Sequence, residues 1–226
     1  LSESQLRSRV HVQLEEQSIL VESGVDGRFD EKDYLLFAAE PVSRWKRGAL
    51  TYQFTANPYT LDNVYFLETD GPLSGARAAQ RSGAPVAEAT VIDAYRARVH
   101  GESDNGVLAQ PYGINSGYEW YWDEYDGGVR NYPIQVQGAA PGPVDIRLGF
   151  FGWTEGEHRF DVSWNRQVVG AGLRFTGNAR RTVTTEASGV VEGENQLRLR
   201  LQSGDATRFD WYELEFSRRL QAEQGV

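Results

Sequence analysis

The chain has 226 residues, a mass of 25.4 kDa and a formal net charge of −9. This acidic balance argues against a general nucleic-acid or anionic-membrane binder, because both kinds of protein need a basic face. Hydrophobic residues make up 40% of the chain and charged residues 24%, which predicts a folded globular protein. Length alone allows one large all-β domain or two small domains.

The chain contains no cysteine, which excludes disulfides, thiolate-ligated metals and a thiol nucleophile within it. Its three histidines, His11, His100 and His158, lie outside HExxH and His-x-His patterns, so we expect surface or strand positions for them. The sequence has no apolar run long enough to predict a membrane span, and its first twenty residues lack a signal-peptide pattern. We therefore expect no cofactor, no nucleic-acid partner and no membrane insertion. Because the chain begins at Leu1 and has no Met, we expect a segment of a longer protein.

The first half of the chain is predicted to form short β-strands separated by turn residues. Asn57-Pro58 and Asp70-Gly71-Pro72 mark two of these turns. We assign residues 1–99 to an N-terminal β unit. Its predicted strands cover Arg9–Leu14, Ser18–Glu22, Asp33–Ala38, Leu50–Phe54, Asn63–Glu68 and Ala89–Val99.

Residues 100–128 are predicted to form a connection. The stretch Gly101–Gly106 is polar and rich in glycine, as is typical of a loop. A short helix is predicted only over Gly117–Tyr125, where Ser116 could serve as the N-cap.

Residues 129–226 are predicted to form a jelly-roll-like β-sandwich. In Leu197–Leu201 three leucines alternate with two arginines, so the leucines share one face of a strand. Three further segments alternate in the same way, and turn residues separate them at intervals of about ten residues. The fold class is therefore all-β, with two antiparallel β units. The further segments are Val144–Leu148, Phe160–Trp164 and Trp211–Phe216.

Patterns for hydrolytic catalysis are weak in this sequence. The stretch Gly113–Gly117 lacks the Gly-x-Ser-x-Gly order of a serine hydrolase. Asp123, Glu124 and Asp126 could pair for glycoside hydrolysis or, with Gly127-Gly128, ligate calcium. Neighbouring acids on a polar segment more commonly form a solvated surface, and the EF-hand spacing is absent. We expect this chain to hydrolyse no peptide, ester or glycoside.

The densest anomaly is the segment Tyr118–Tyr125, which we call the aromatic segment. If its rings are exposed, it is a platform for sugar rings or a partner chain. If they are packed, the segment seals the seam between two β layers. We favour packing, with Trp120 as the buried tryptophan. The candidate binding residues are Tyr118, Trp120, Tyr121, Trp122 and Tyr125.

Basic residues are almost all arginine. Lys32 and Lys46 are the lysines, so arginine supplies the other 21 of the 23 basic side chains. Arginine-rich ion pairing on an acidic surface suits a saline or warm habitat, and genome base composition explains the same bias.

Six motifs occur in this order along the chain: Phe29–Phe37, Asn57–Tyr59, Asn63–Leu67, Gly75–Arg77, Ser116–Tyr121 and Phe209–Arg219. Together they resemble the N-terminal non-catalytic region of gingipain-type cysteine peptidases. The similarity is greatest to the sortase-like PorU subgroup of the type IX secretion system. Where that family usually has Gly after a Trp-Tyr pair, this chain has Trp122.

The resemblance implies a non-catalytic segment of a secreted or envelope-associated protein. Its partner would be an adjacent peptidase domain or a secretion-system protein. The catalytic His and Cys of the family lie in the following domain, so no catalytic residue is carried over to this chain. A carbohydrate-binding jelly-roll module remains the alternative, because β-sandwiches host many functions.

Overall fold

The computed structural model describes residues 15–22, 28–49, 51–68, 75–84, 87–107, 120–203 and 206–221. These residues form fifteen strands and no helix, so the predicted all-β fold is confirmed for them. None of the described segments is a helix that could cross a membrane. Two compact units divide the chain, residues 1–87 (the N-terminal unit) and residues 88–226 (the sandwich unit).

The N-terminal unit contains two separate two-stranded antiparallel sheets. Strand β1 (Ile19–Glu22) pairs with β2 (Tyr34–Phe37), and β3 (Arg44–Arg47) pairs with β4 (Tyr52–Thr55). Trp45 and Phe54 face each other across the second pair, with their rings 5.4 Å apart. None of the described residues of this unit is buried.

The sandwich unit contains eleven of the strands. They are β5 (Ala94–Glu102), β6 (Gly106–Val107), β7 (Trp120–Tyr121), β8 (Asp123–Tyr125), β9 (Gly128–Val136), β10 (Val144–Gly152), β11 (Glu157–Trp164), β12 (Gln167–Thr176), β13 (Arg180–Ala187), β14 (Gly193–Ser203) and β15 (Thr207–Arg219). One sheet has the order β13-β10-β15-β5, and β8 also pairs with β15. The other sheet has the order β12-β11-β14-β9. All pairs in both sheets are antiparallel, as the strand alternation predicted.

The hydrophobic core lies between these two sheets. Phe150 of β10 and Phe160 of β11 stack at 4.5 Å and so join one sheet to the other. Leu197 and Leu199 are fully buried while Arg198 is exposed, which confirms the predicted face of β14. Burying one such leucine contributes about 1.5–3 kcal/mol to stability. The leucine face of β14 therefore packs against the core, and the arginine face stays in water.

The predicted helix over Gly117–Tyr125 is wrong for its described part. Residues 120–121 form β7, which pairs with β6, and residues 123–125 form β8. Strand β8 runs beside Thr207–Phe209 of β15. Backbone pairing with a strand more than eighty residues away therefore overrides the local crowding of apolar residues that suggested a helix.

The unit boundary also differs from the predicted connection over residues 100–128. Strand β5 pairs with β15 along its whole length, from Ala94 opposite Arg219 to Glu102 opposite Trp211. Strands β5 and β8 are therefore part of the sandwich, and the chain divides at Ala87 rather than near residue 99.

The basic partner in the described ion pairs is arginine or histidine throughout. Both lysines, Lys32 and Lys46, lie in the N-terminal unit and are exposed. The sandwich unit has no lysine in its sequence.

Candidate functional site

Residues 120–125 of the aromatic segment are held at the edge of the sandwich by two backbone contacts. The Trp122 amide donates a hydrogen bond to the Phe209 carbonyl at 2.8 Å. Asp123 and Glu124 lie opposite Phe209 and Arg208 of β15. Tyr118 lies outside the described residues, so its candidate role stays a prediction.

The two tryptophans of this segment have the opposite orientations to those predicted. Trp120 is 40% exposed. Trp122 packs against the core, with its ring 5.0 Å from Tyr132, 6.0 Å from Phe209 and 5.9 Å from Tyr212. The expectation that Trp120 is the buried one is therefore wrong, because Trp122 sits where the chain passes from β7 to β8 and its amide is tied to β15.

Tyr125 is almost fully buried and belongs to a chain of hydrogen bonds. Its hydroxyl lies 2.8 Å from that of Tyr132, and Tyr132 donates to Asp123 at 2.8 Å. Burial raises the pKa of both phenols above their usual range. These tyrosines therefore stay neutral, and Asp123 is engaged in holding β8 to β9 rather than turned to solvent.

Tyr121 belongs to a stack built on a buried arginine. The Arg208 guanidinium lies 3.9 Å from the Trp153 ring centroid and 5.1 Å from that of Tyr121. Its Nη2 donates to Glu124 at 3.3 Å, and Tyr121 also donates to Glu124 at 3.3 Å. Two aromatic faces lower the cost of burying this cation.

The three acids of the segment do not converge. Asp123 accepts a hydrogen bond from Tyr132, and Glu124 accepts one from Arg208. Asp126 is exposed. Among the described residues no cluster of three acidic or histidine side chains has metal-ligand geometry. The arrangement thus provides neither a facing carboxylate pair nor a calcium shell within that part of the chain.

A network of charged side chains covers the outer face of the sheet that contains β15. Glu213, only 5% exposed, accepts from Arg147 at 2.6 Å. His100 Nε2 lies 2.9 Å from Glu102, and Glu215 accepts from Arg98 at 2.9 Å. Burial alone would lower the pKa of His100, but its hydrogen bond to Glu102 and the nearby carboxylate of Glu213, 3.7 Å from Nδ1, raise it above the usual value.

The most unusual group on this face is Asp210, which is 8% exposed. One oxygen, Oδ2, accepts from Arg180 at 3.3 Å, and the other, Oδ1, is buried without a hydrogen-bond partner. Burial raises the pKa of this carboxyl to about 7; the charge of Arg180 opposes the rise, and Glu102 adds to it. Perturbed carboxyls of this kind concentrate at functional sites.

The two described histidines occupy strand positions, as predicted. His100 lies on β5 and His158 on β11. His158 is fully buried, with its Nδ1 2.8 Å from the Thr207 hydroxyl and its ring 4.7 Å from Phe175. His158 is therefore a core residue, and His11 lies outside the described residues.

The charged network and Asp210 were not predicted from the sequence. The signal for the network is the alternation of charged and apolar residues in Arg96–His100 and in Glu213–Glu215. That alternation assigns these side chains to one face of each strand. It does not reveal which strands lie side by side, so the partners in each ion pair could not be assigned from the sequence.

No protein-family model matches the chain. No curated protein matches it either. Among solved structures, dimeric latent PorU from Porphyromonas gingivalis is similar in fold over 95% of this chain and 20% of its own, with a TM-score of 0.64 and 13% identity. The chain thus spans about a fifth of the length of that protein.

Two carbohydrate-binding modules are also similar, over a smaller part of the chain. The family 35 module of Abf62 from Cellvibrio japonicus matches 56% of this chain and all of its own, with a TM-score of 0.39 and 10% identity. A family 35 module from Clostridium thermocellum matches 54% of this chain and 90% of its own, with a TM-score of 0.36 and 12% identity.

Proposed function

We propose that this chain is a non-catalytic β-sandwich segment of a secreted, envelope-associated gingipain-like cysteine peptidase of the type IX secretion sortase type. It supports the peptidase domain or docks a secretion-system protein. The ordered sequence motifs support this proposal, and so does the likeness in fold to PorU over 95% of the chain.

The observation that carries the docking role is the apolar surface of the N-terminal unit. Its described strands form only two-stranded sheets, which are marginally stable in water on their own. Ten large apolar side chains among the described residues of this unit are exposed, and exposed apolar surface of this kind is typical of an interaction site. The exposed large apolar side chains are Phe29, Tyr34, Leu36, Phe37, Tyr59, Leu61, Val64, Tyr65, Phe66 and Leu67.

The docking role is tested by binding of the peptidase domain, supplied as a separate chain. Phe66 is 78% exposed, and we expect Phe66→Ser to weaken binding by about tenfold or more, because apolar anchors dominate interfaces. Asp62→Ser, an exposed polar change in the same segment, is the matched control and should change the affinity less than about twofold. Equal effects of the two substitutions would contradict docking through this surface.

The encoded sequence that follows Val226 gives a simpler test. A domain containing a His and Cys pair is expected. A glycosidase domain in its place would contradict the peptidase assignment.

One observation favours the alternative of carbohydrate binding, namely the exposed ring of Trp120. If Trp120 is a sugar platform, Trp120→Ala abolishes binding to a glycan array and leaves the melting temperature nearly unchanged. Trp122→Ala is the control, because Trp122 packs against the core and its loss lowers the melting temperature. Absence of glycan binding by the unmodified chain would end this alternative.

A further inference from the structure

Asp210 occupies a β-bulge of β15. Phe150 lies opposite Phe209 and Gly149 lies opposite Trp211, so Asp210 is the extra residue between these two pairs. Bulges re-aim a side chain and interrupt the ladder. Here the re-aimed side chain is a carboxyl that is nine-tenths buried, with one oxygen paired and one oxygen bare.

An ionised carboxylate in this position is poorly solvated. A carboxylate offers about four acceptor positions, and Asp210 has the Arg180 contact as its one hydrogen bond in the described residues. Burying a charge that is incompletely hydrogen-bonded is energetically unfavourable. A protonated carboxyl avoids most of that cost.

Charged side chains of neighbouring segments act on Asp210 in both directions. Besides the effect of burial, Arg180 and His100 lower the pKa of Asp210 while Glu102 and Asp104 raise it, and the net result is a raised pKa. The charged groups of this face and of β8 include His100, Glu102, Asp104, Glu124, Arg147, Arg180, Arg208 and Glu213.

The bulge is directly joined to the aromatic segment. Phe209, the residue before Asp210, accepts a hydrogen bond from the Trp122 amide through its carbonyl. It also lies opposite Asp123 in the pairing of β15 with β8. Any opening of β15 that hydrates Asp210 therefore loosens the backbone contacts that hold β8 in place.

We propose that Asp210 is a proton-binding site through which solution pH controls how firmly residues Trp120–Tyr125 are held to β15. With the proton bound, the neutral carboxyl is buried and β8 stays paired. Without it, the carboxylate favours an opened bulge in which both oxygens reach water. The proposal does not depend on whether the chain docks a peptidase domain or a sugar.

The direction of the pH effect follows from proton linkage. The closed form binds the proton with a pKa of about 7, whereas the opened, hydrated carboxyl has its ordinary, lower value. The closed form is therefore most favoured in acid, and its population falls as the pH rises toward 7. The equilibrium constant for opening rises by roughly tenfold for each pH unit between the two pKa values and levels off above the higher one.

Amide hydrogen exchange of Trp122–Tyr125 tests the proposal, measured by NMR between pH 5 and 7.5 and corrected for intrinsic exchange rates. In the unmodified chain we expect protection factors to fall by roughly tenfold per pH unit up to about pH 7 and to level off above it. Asp210→Asn, which mimics the protonated carboxyl, should remove this dependence. Asp145→Asn is the matched control, because Asp145 is an exposed acid of the same sheet, and it should behave like the unmodified chain.

His100 also releases a proton as the pH rises, and its raised pKa gives the same sign. Because Asp210→Asn leaves His100 in place, the difference between the two chains isolates Asp210. Protection that does not change with pH in the unmodified chain, or that changes equally in Asp210→Asn, overturns the proposal.

A second measurement decides the matter if Asp210→Asn fails to fold. The carboxyl carbon of Asp210 in the unmodified chain should titrate with a midpoint near 7 in a ¹³C NMR series. A midpoint in the ordinary range of aspartate, near 4, overturns the proposal without any variant.

Discussion

Leu199 and Arg198 are adjacent on β14 and have opposite environments, one fully buried and the other exposed. Leu199→Ala should lower the free energy of unfolding by about 2–5 kcal/mol, because transfer and cavity terms add. Arg198→Ala should change it by no more than about 0.5 kcal/mol. Urea unfolding followed by circular dichroism measures both. Similar losses from the two substitutions would contradict the assigned face of the strand.

At this scale, sequence predicts which face of a strand a residue lies on but not which neighbour it meets. The leucines of β14 illustrate the success, because period-two alternation is a property of the strand itself. Trp120 and Trp122 illustrate the failure. Their orientations depend on the pairing of β8 with β15 and on the hydrogen bond from the Trp122 amide to the Phe209 carbonyl. No local sequence pattern reveals either contact.

At the scale of elements, glycines lie directly opposite aromatic residues on neighbouring strands. Gly149 faces Trp211 across β10 and β15, and Gly101 faces Tyr212 across β5 and β15. A Cβ atom on Gly149 would lie 2.3 Å from the Trp211 ring, and one on Gly101 would lie 2.1 Å from the Tyr212 ring. Each ring thus covers the glycine opposite and fills the space that a side chain would take.

Gly149→Ala should therefore destabilise the sandwich by about 1–3 kcal/mol, as overpacking does. The double substitution Gly149→Ala with Trp211→Ala provides the control, because without the indole the added methyl meets no obstruction. The coupling energy from thermal or urea unfolding should be about 0.5 kcal/mol or more. Simple additivity would show that the ring is free to move aside.

Strand prediction succeeded where alternation was strict and failed for an apolar run without alternation. The segment Asn63–Glu68 contains four consecutive apolar or aromatic residues, Val64–Leu67, and no strand in the structure. Tyr65 instead accepts a hydrogen bond from the Glu40 amide through its hydroxyl, at 2.7 Å. The strand Arg44–Arg47 was missed, because three of its four residues are basic and it has little apolar signal.

For the whole molecule, the two units differ sharply in how much they bury. The core residues all lie in the sandwich unit, and no described residue of the N-terminal unit is buried. Hydrogen exchange of the chain by itself should therefore show slow amides in β10, β11, β14 and β15 and fast exchange in β1 to β4, since protection follows local burial. Equal protection in both units would contradict this division.

The predicted boundary near residue 99 shows what sequence leaves out at this scale. Strand β5 looks like the end of the first unit because it precedes a polar, Gly-rich stretch. Its partner is β15, more than a hundred residues later. Long-range pairing of this kind is decided by the assembled sheet, so the all-β class was predictable while the division of the chain was not.

The placement of the basic residues has a practical consequence for chemical labelling. Amine-reactive esters attack lysine amines and the N-terminal amine, whereas arginine stays protonated and does not react. Lys32 and Lys46 both lie in the N-terminal unit, and the sandwich unit has no lysine. A fluorophore or sensor chip coupled through amines will therefore attach outside residues 88–226 and leave every face of the sandwich chemically unmodified.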